Sequence, residues 1–200
     1  MSTSNVEAVE VKKEDRRVRK TKRLLRGALT DLLKEKPIQE IKVREIADMV
    51  DINRGTFYQH YRDVYDMLNS IEDEIFIDFR TFFSNNSDSL EEEADHFFIS
   101  LFTYMKENSE LITVLLGPNG DPSFIERLEN MVRDKCLNEW IVKYNVVDSK
   151  EFEYYYAFMV TGCIGLIRLW LNTEMVESPE EMARILERFL IRGATSVISM

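Results

Sequence analysis

Apolar residues return every three or four positions along nearly the whole chain, and that period confines it to packed α-helices. Val18, Leu24, Leu25, Ala28, Leu29, Leu32 and Leu33 make one such stripe; Tyr65, Leu68, Ile71, Ile75, Phe76, Phe79, Phe82 and Phe83 make another. No segment alternates apolar and polar residues as a half-buried strand does. Breakers are scarce, seven Gly and four Pro in 200 residues, so long helices run uninterrupted. The spacing predicts a helix from Arg16 to about Lys36, stopped by Pro37, then a link that sets Ile38 and Ile41 against it. Further helices follow at Val43–Val50, from Arg54 to His60 or Tyr61, and from Asp63 to the polar stretch 84–89. The rest reads as helices at about 90–107, 109–116, 122–145, 150–172 and 179–198. Asn53 and Asp63 stand where N-caps are needed, and Asp121-Pro122 and Ser178-Pro179 each place a cap before a first-turn proline. Glu181 completes a capping box with Ser178. The expected fold is all-α with about nine helices: a three-helix N-terminal head on a C-terminal helical bundle. Residues 1–14 read as a flexible tail, 15–62 as the head and 63–200 as the bundle.

Charge divides the chain along the same line. The whole carries −10, but residues 1–62 hold 15 Lys/Arg against 10 Asp/Glu, whereas residues 63–200 hold 11 against 26. Nine bases crowd into 12–26: Lys12, Lys13, Arg16, Arg17, Arg19, Lys20, Lys22, Arg23 and Arg26. A cationic head on an acidic body suits contact with a polyanion at one end only, although a solvated helix face has the same composition.

Two short helices joined by a tight turn inside that head make a helix-turn-helix, whose second helix enters the DNA major groove. Arg54 and Gln59 suit bidentate contacts to guanine and adenine. Thr56 offers a hydroxyl to a phosphate or a base and Tyr58 a hydroxyl to phosphate, and Gly55 lets the backbone come close. Phe57 reads as a head core residue; His60 either reaches phosphate or packs at the junction with the fourth helix. The run Ile46-Ala47 through Val50-Asp51-Ile52-Asn53-Arg54-Gly55-Thr56-Phe57-Tyr58-Gln59-His60-Tyr61 resembles the tetracycline-repressor (TetR/AcrR) family of bacterial regulators. The resemblance covers about Thr21 to Leu68. It implies double-stranded operator DNA as partner, with Lys20, Lys22, Arg44, Asn53, Arg54, Gly55, Thr56, Tyr58, Gln59, His60 and Arg62 at the interface. Asp51 stands where the family commonly has a turn glycine, Lys42-Val43 where it often has a capping Thr, and Val64 where it often has a phosphate-gripping Lys. The grip then falls to Arg62, Arg44 and the basic arm.

Leu115 to Phe124 and Gly162 to Leu171 are similar to a C-terminal region of Gram-positive members, including regulators of dihydroxyacetone kinase operons. That likeness implies a homodimer in which the last two helices of each subunit form a four-helix bundle. Phe158, Gly162, Gly165, Leu166, Trp170, Ile185 and Phe189 are the candidate seam, with packing into the chain's own core as the alternative. It also implies an effector pocket between the fourth and eighth helices, for which Phe79, Phe83, Phe98, Phe102, Tyr155 and Met159 are candidates, with packing as plain core the commoner role of such an aromatic stripe. The effector is a small molecule that the residues do not name. A repressor released by that effector is the expected activity; an activator or co-regulator is the alternative.

Other classes lack their residues. There is no G-x-S-x-G, P-loop or HExxH, and only two histidines, His60 and His96. No enzyme activity, cofactor or metal is therefore expected, and the acids near His96 read as a solvated helix start. Cys136 and Cys163 form no CxxC and are expected as reduced thiols. The opening residues lack a secretory h-region, and the apolar stretch Ala157–Leu171, interrupted by Arg168, is expected to fall short of a membrane span. A cytoplasmic protein without membrane contact is the expectation.

Overall fold

The computed structural model describes the backbone of residues 16–85, 94–144 and 150–198, and side chains within 16–82, 96–133, 150 and 153–190. Among the described residues the order is α1 (Arg16–Glu35), a 3-10 turn (Ile38–Glu40), α2 (Val43–Met49), α3 (Arg54–Tyr58), α4 (Val64–Asn85), α5 (Ala94–Glu107), α6 (Ser109–Leu115), α7 (Pro122–Tyr144), α8 (Lys150–Asn172) and α9 (Pro179–Ile198). The all-helical reading holds, and most boundaries fall within a residue or two of those expected. The exception is α3, which ends at Tyr58, although turn bonds from His60 and Tyr61 to the Phe57 carbonyl carry the chain a little further; residues 90–93, where α5 is expected to begin, lie outside the described residues. The tail 1–14 and the thiol of Cys136 lie outside the described residues.

Local chemistry sets the ends. Asp63 accepts the Asp66 N–H at 2.8 Å, and Asp121 accepts the Ser123 N–H at 2.9 Å. Ser178 and Glu181 exchange bonds at 3.2 and 2.8 Å, closing the capping box before α9. Gly120 has to be glycine, because a Cβ there would meet the Leu115 carbonyl oxygen at 2.1 Å. The turn from Gly117 to Gly120 thereby doubles back under α6 and delivers Asn119, whose amide donates to the Leu33 carbonyl at the end of α1 (3.0 Å).

One continuous core runs from head to body. α1 buries Leu25, Ala28, Leu29, Leu32 and Leu33, spaced as one helical face, against α2 on one side and α6 on the other. Each of these leucines contributes roughly 1.5–3 kcal/mol of burial. In the body, α5 lies along α9, and Phe102 meets Trp170 edge to face at 5.3 Å.

Trp170 corrects the sequence reading. It is 2% exposed, and its indole N–H donates to the Glu177 carbonyl at 3.0 Å, pinning the α8–α9 link inside its own subunit. It is therefore not a seam residue. α8 corrects a second expectation: Glu153–Asn172 is long and apolar enough, by length and composition, to cross a membrane. The reason is that this helix is apolar on two opposite sides. Ile164, Ile167, Trp170 and Leu171 enter the core, while Tyr154, Phe158 and Leu169 stand exposed on the far side.

Glu72 is the odd member of the core. Its side chain is 0% exposed, Oε2 lies 3.4 Å from Arg127, and Oε1 has no hydrogen-bond partner. Arg127 is shared: its guanidinium lies 4.2 Å over the Phe76 ring and also pairs with Asp73. Burial, reinforced by the nearby Asp121 charge, pushes the Glu72 carboxyl up to about 7. A carboxyl raised in the fold holds its proton where the unfolded chain has lost it, so its contribution is complete below about pH 4.5 and is lost as pH rises through about 7. Melting temperature should thus fall between pH 5 and 8, and Glu72→Gln should flatten that decline. An equal decline in the variant would place the titrating group elsewhere.

Candidate nucleic-acid interface

The head positions its recognition helix by one buried ring and one cap. Phe57 is fully buried in the core and packs on Tyr61 at 5.8 Å, which fixes the inward side of α3. Asn53 caps it, its side-chain oxygen accepting the Gly55 N–H at 2.8 Å. The outward side then presents Arg54, Gly55, Tyr58 and Gln59 exposed, with Thr56 and His60 half-buried. Tyr58 is among the most exposed large side chains of the head and meets Phe57 edge to face at 5.7 Å. His60 lies against Tyr61, ring centres 6.3 Å apart, at the junction with α4.

The turn before α3 is a Schellman motif. The Ile52 N–H reaches the Ala47 carbonyl at 3.0 Å and the Asp51 N–H the Asp48 carbonyl at 3.3 Å. This closure needs a left-handed residue between them, and Asp51 takes φ 52°. Asp51 adopts the conformation that glycine reaches without a steric cost. At the start of α2 no hydroxyl is present; Glu45 accepts the Lys42 N–H at 2.9 Å instead, and Lys36 grips the same carboxylate, holding it below the usual carboxylate range.

The basic residues are less free than their sequence suggests. Arg62 is held by Asp66 at 2.7 and 3.1 Å, and Arg44 lies 3.4 Å from Asp48. Both pairs are surface i,i+4 pairs, of a kind worth roughly 0–1 kcal/mol, so phosphate can displace the carboxylates at small cost. Lys20 is exposed and Lys22 half-buried on α1. Val64 is buried under the head, which is why no cation stands at the opening of α4.

The other candidate sets are only partly brought together. Phe158 (74% exposed) and Phe189 (61%) stand open on α8 and α9, and a Cβ at Gly162 or Gly165 would meet nothing within 4 Å. Leu166 and Ile185 are half-buried against the subunit's own core. Of the pocket candidates, Phe79 and Phe102 are buried in the core, on Tyr104 and Trp170. Phe98 and Met159 are half-buried, Tyr155 donates to the Leu190 carbonyl at 3.3 Å, and the Phe83 side chain lies outside the described residues. The described clefts lie elsewhere. One, lined by Thr113, Leu116, Gly117, Pro118, Arg168, Leu171 and Asn172, was not visible in the sequence because two segments fifty residues apart build it. Among the described residues, no three His, Cys, Asp or Glu gather as a metal site.

A cationic three-helix head with a capped, outward-facing recognition helix on an all-helical body defines a helix-turn-helix regulator of transcription. A family described as "Transcriptional regulator C-terminal region" matches residues 92–192, and the chain belongs to the TetR family of transcriptional regulators. No curated protein matches it significantly. Solved structures share the fold. A TetR transcriptional regulator from Streptococcus agalactiae is 22% identical with TM-score 0.60, over 86% of this chain and 94% of that one. The dihydroxyacetone kinase operon activator DhaS is 19% identical with TM-score 0.55, over 86% and 94%. FadR from Bacillus subtilis, in complex with stearoyl-CoA, is 14% identical with TM-score 0.63, over 86% and 98%.

The strained turn gives a direct test. Asp51→Gly should raise stability by roughly 0.5–1 kcal/mol, and Asp51→Val should lower it by at least as much, since a β-branched residue resists positive φ. Urea unfolding midpoints of both variants measure this; a destabilised glycine variant would mean that the Asp51 side chain itself holds the turn.

Proposed function

We propose that the protein is a cytoplasmic, dimeric, effector-responsive repressor that reads operator DNA with α3 and releases it when a small molecule binds residues 63–200. The observation that carries this reading is the division of α3: Phe57 wholly buried, Arg54, Tyr58 and Gln59 exposed, on the cationic end of an acidic chain. In this arrangement Arg54 reads a guanine edge, Gln59 an adenine, Thr56 and Tyr58 bind phosphate, and Asn53 and Gly55 set the approach. Lys20, Lys22, Arg44, Arg62 and His60 add phosphate contacts, so affinity falls steeply with salt. FadR crystallised with a bound acyl-CoA supports a ligand-responsive body, whereas the activator DhaS supports the opposite sign of regulation for the same fold.

Selection of binding sites from random DNA tests the readout. Arg54→Ala should cost roughly 1–3 kcal/mol and relax one base position per half-site. Tyr58→Phe should weaken all sequences about equally. An unchanged motif with Arg54→Ala, alongside an altered one with Tyr58→Phe, would exchange the two roles.

Dimerisation rests on the outer face of α8 and α9: Tyr154, Phe158, Gly162, Gly165 and Leu169, with Phe189 beside them. The bare glycines let a second copy of α8 approach closely, and the exposed rings then pack across the two-fold axis. Phe158→Asp should give folded monomers with poor operator affinity, whereas Trp170→Asp should unfold the body. Sedimentation and melting curves separate the two. A dimeric Phe158→Asp protein would move the seam away from α8.

A further inference from the structure

We propose that the cleft between α6 and the end of α8 binds a small organic anion, a carboxylate or phosphate monoester with a short apolar part, through Arg168. Binding here stands on the cleft alone; its service as the effector site rests on the repressor reading above.

The cleft has a volume of about 360 Å³. That is near the lower end of ligand sites, which span roughly 300–1,000 Å³, so it fits a molecule of a few carbons and not an acyl-CoA. Its floor is apolar and fixed: Leu116 and Leu171 are both buried. Its rim is rigid. Pro118 restrains one side, and position 117 stays glycine because a Cβ would meet the Thr113 carbonyl oxygen at 2.9 Å.

The polar lining is one-sided. Thr113, Arg168 and Asn172 supply a hydroxyl, a guanidinium and an amide, and no carboxylate lines the space. This is unusual in residues 63–200, where 26 acids face 11 bases. The second described cleft, along α4, shows the contrast: it contains Arg62 but also Asp66, Asp73 and Glu74. Arg168 is also the one charge interrupting the apolar stretch of α8, and among the described residues no carboxylate pairs with it. Both helices end at the cleft, and their carbonyl ends repel anions. Several of those carbonyls are already taken: Val114 by Gly117, Leu169 by Thr173 and Trp170 by Met175. The full charge of Arg168, with its forked donors, is left to select a carboxylate or phosphate.

Calorimetric titration of the intact protein with hexanoate, inorganic phosphate, glycerol phosphate and hexanol tests this. Saturable binding of at least one anion, with none for hexanol, is expected; hexanoate against the two phosphates tells which head group is preferred. Arg168→Gln should weaken that anion roughly tenfold or more, the loss expected when a charge-assisted contact is removed. Arg168→Lys should retain part of the binding, and Lys106→Gln, exposed on α5 away from the cleft, should leave it unchanged. No saturable binding to the wild type, or equal binding to Arg168→Gln, overturns the assignment. So does a fall of Arg168→Gln to monomers in sedimentation, which would make Arg168 a seam residue. If the anion binds through Arg168 while operator affinity stays unchanged, the site stands and the effector reading fails. If no anion binds, the site fails and operator recognition is untouched.

Discussion

The double burial of α1 is the constraint from which the rest follows. Its leucine face is shared by the head, through α2, and by the body, through α6, so the two parts join in one core across it. The junction is reinforced where the helix ends: the Leu33 carbonyl would lack an intrahelical partner, and Asn119 from the α6–α7 turn supplies one. Arg26 adds a pair to Glu74 on α4 at 3.0 Å. The recognition helix is thus aimed by contacts that its own short segment does not make.

Much of this was legible because capping chemistry is local. Asn53, Asp63, Asp121 and Ser178 each name a helix start from a handful of neighbouring residues, and each bond is present. Side-chain destination was less legible. α8 is apolar on opposite sides, and periodicity alone does not say which side meets the chain's own core; Trp170, a seam candidate by its spacing, is buried in that core, whereas Phe158 stands exposed. Phe79 and Phe102 were ambiguous for a related reason, since an aromatic stripe that fills a core has the same spacing as one that lines a pocket, and both are buried. The cleft at Arg168 left no sequence signal, because Leu116 and Leu171 converge only through the tertiary fold.

The charged residues of the head show how a cationic surface keeps its long side chains in order. Arg62 and Arg44 rest on acids one helical turn away, and Lys36 rests on Glu45. Such pairs orient long side chains while adding little stability, so exchanging a carboxylate for a phosphate changes partner more than shape. Glu72 is the opposite case. Buried and half-partnered, it carries a desolvation cost that the exposed pairs avoid.

The brevity of α3 has an evolutionary consequence. Five residues are too few to hold a helix by intrinsic preference, so its order is lent by Phe57 below and Asn53 in front. The outward side chains at 54, 58 and 59 contribute little to that order. They can drift without passing through unfolded intermediates, while the two anchoring positions remain bound to their present residues. Surface chemistry and foldability are thereby inherited separately, within a single turn and a half of helix.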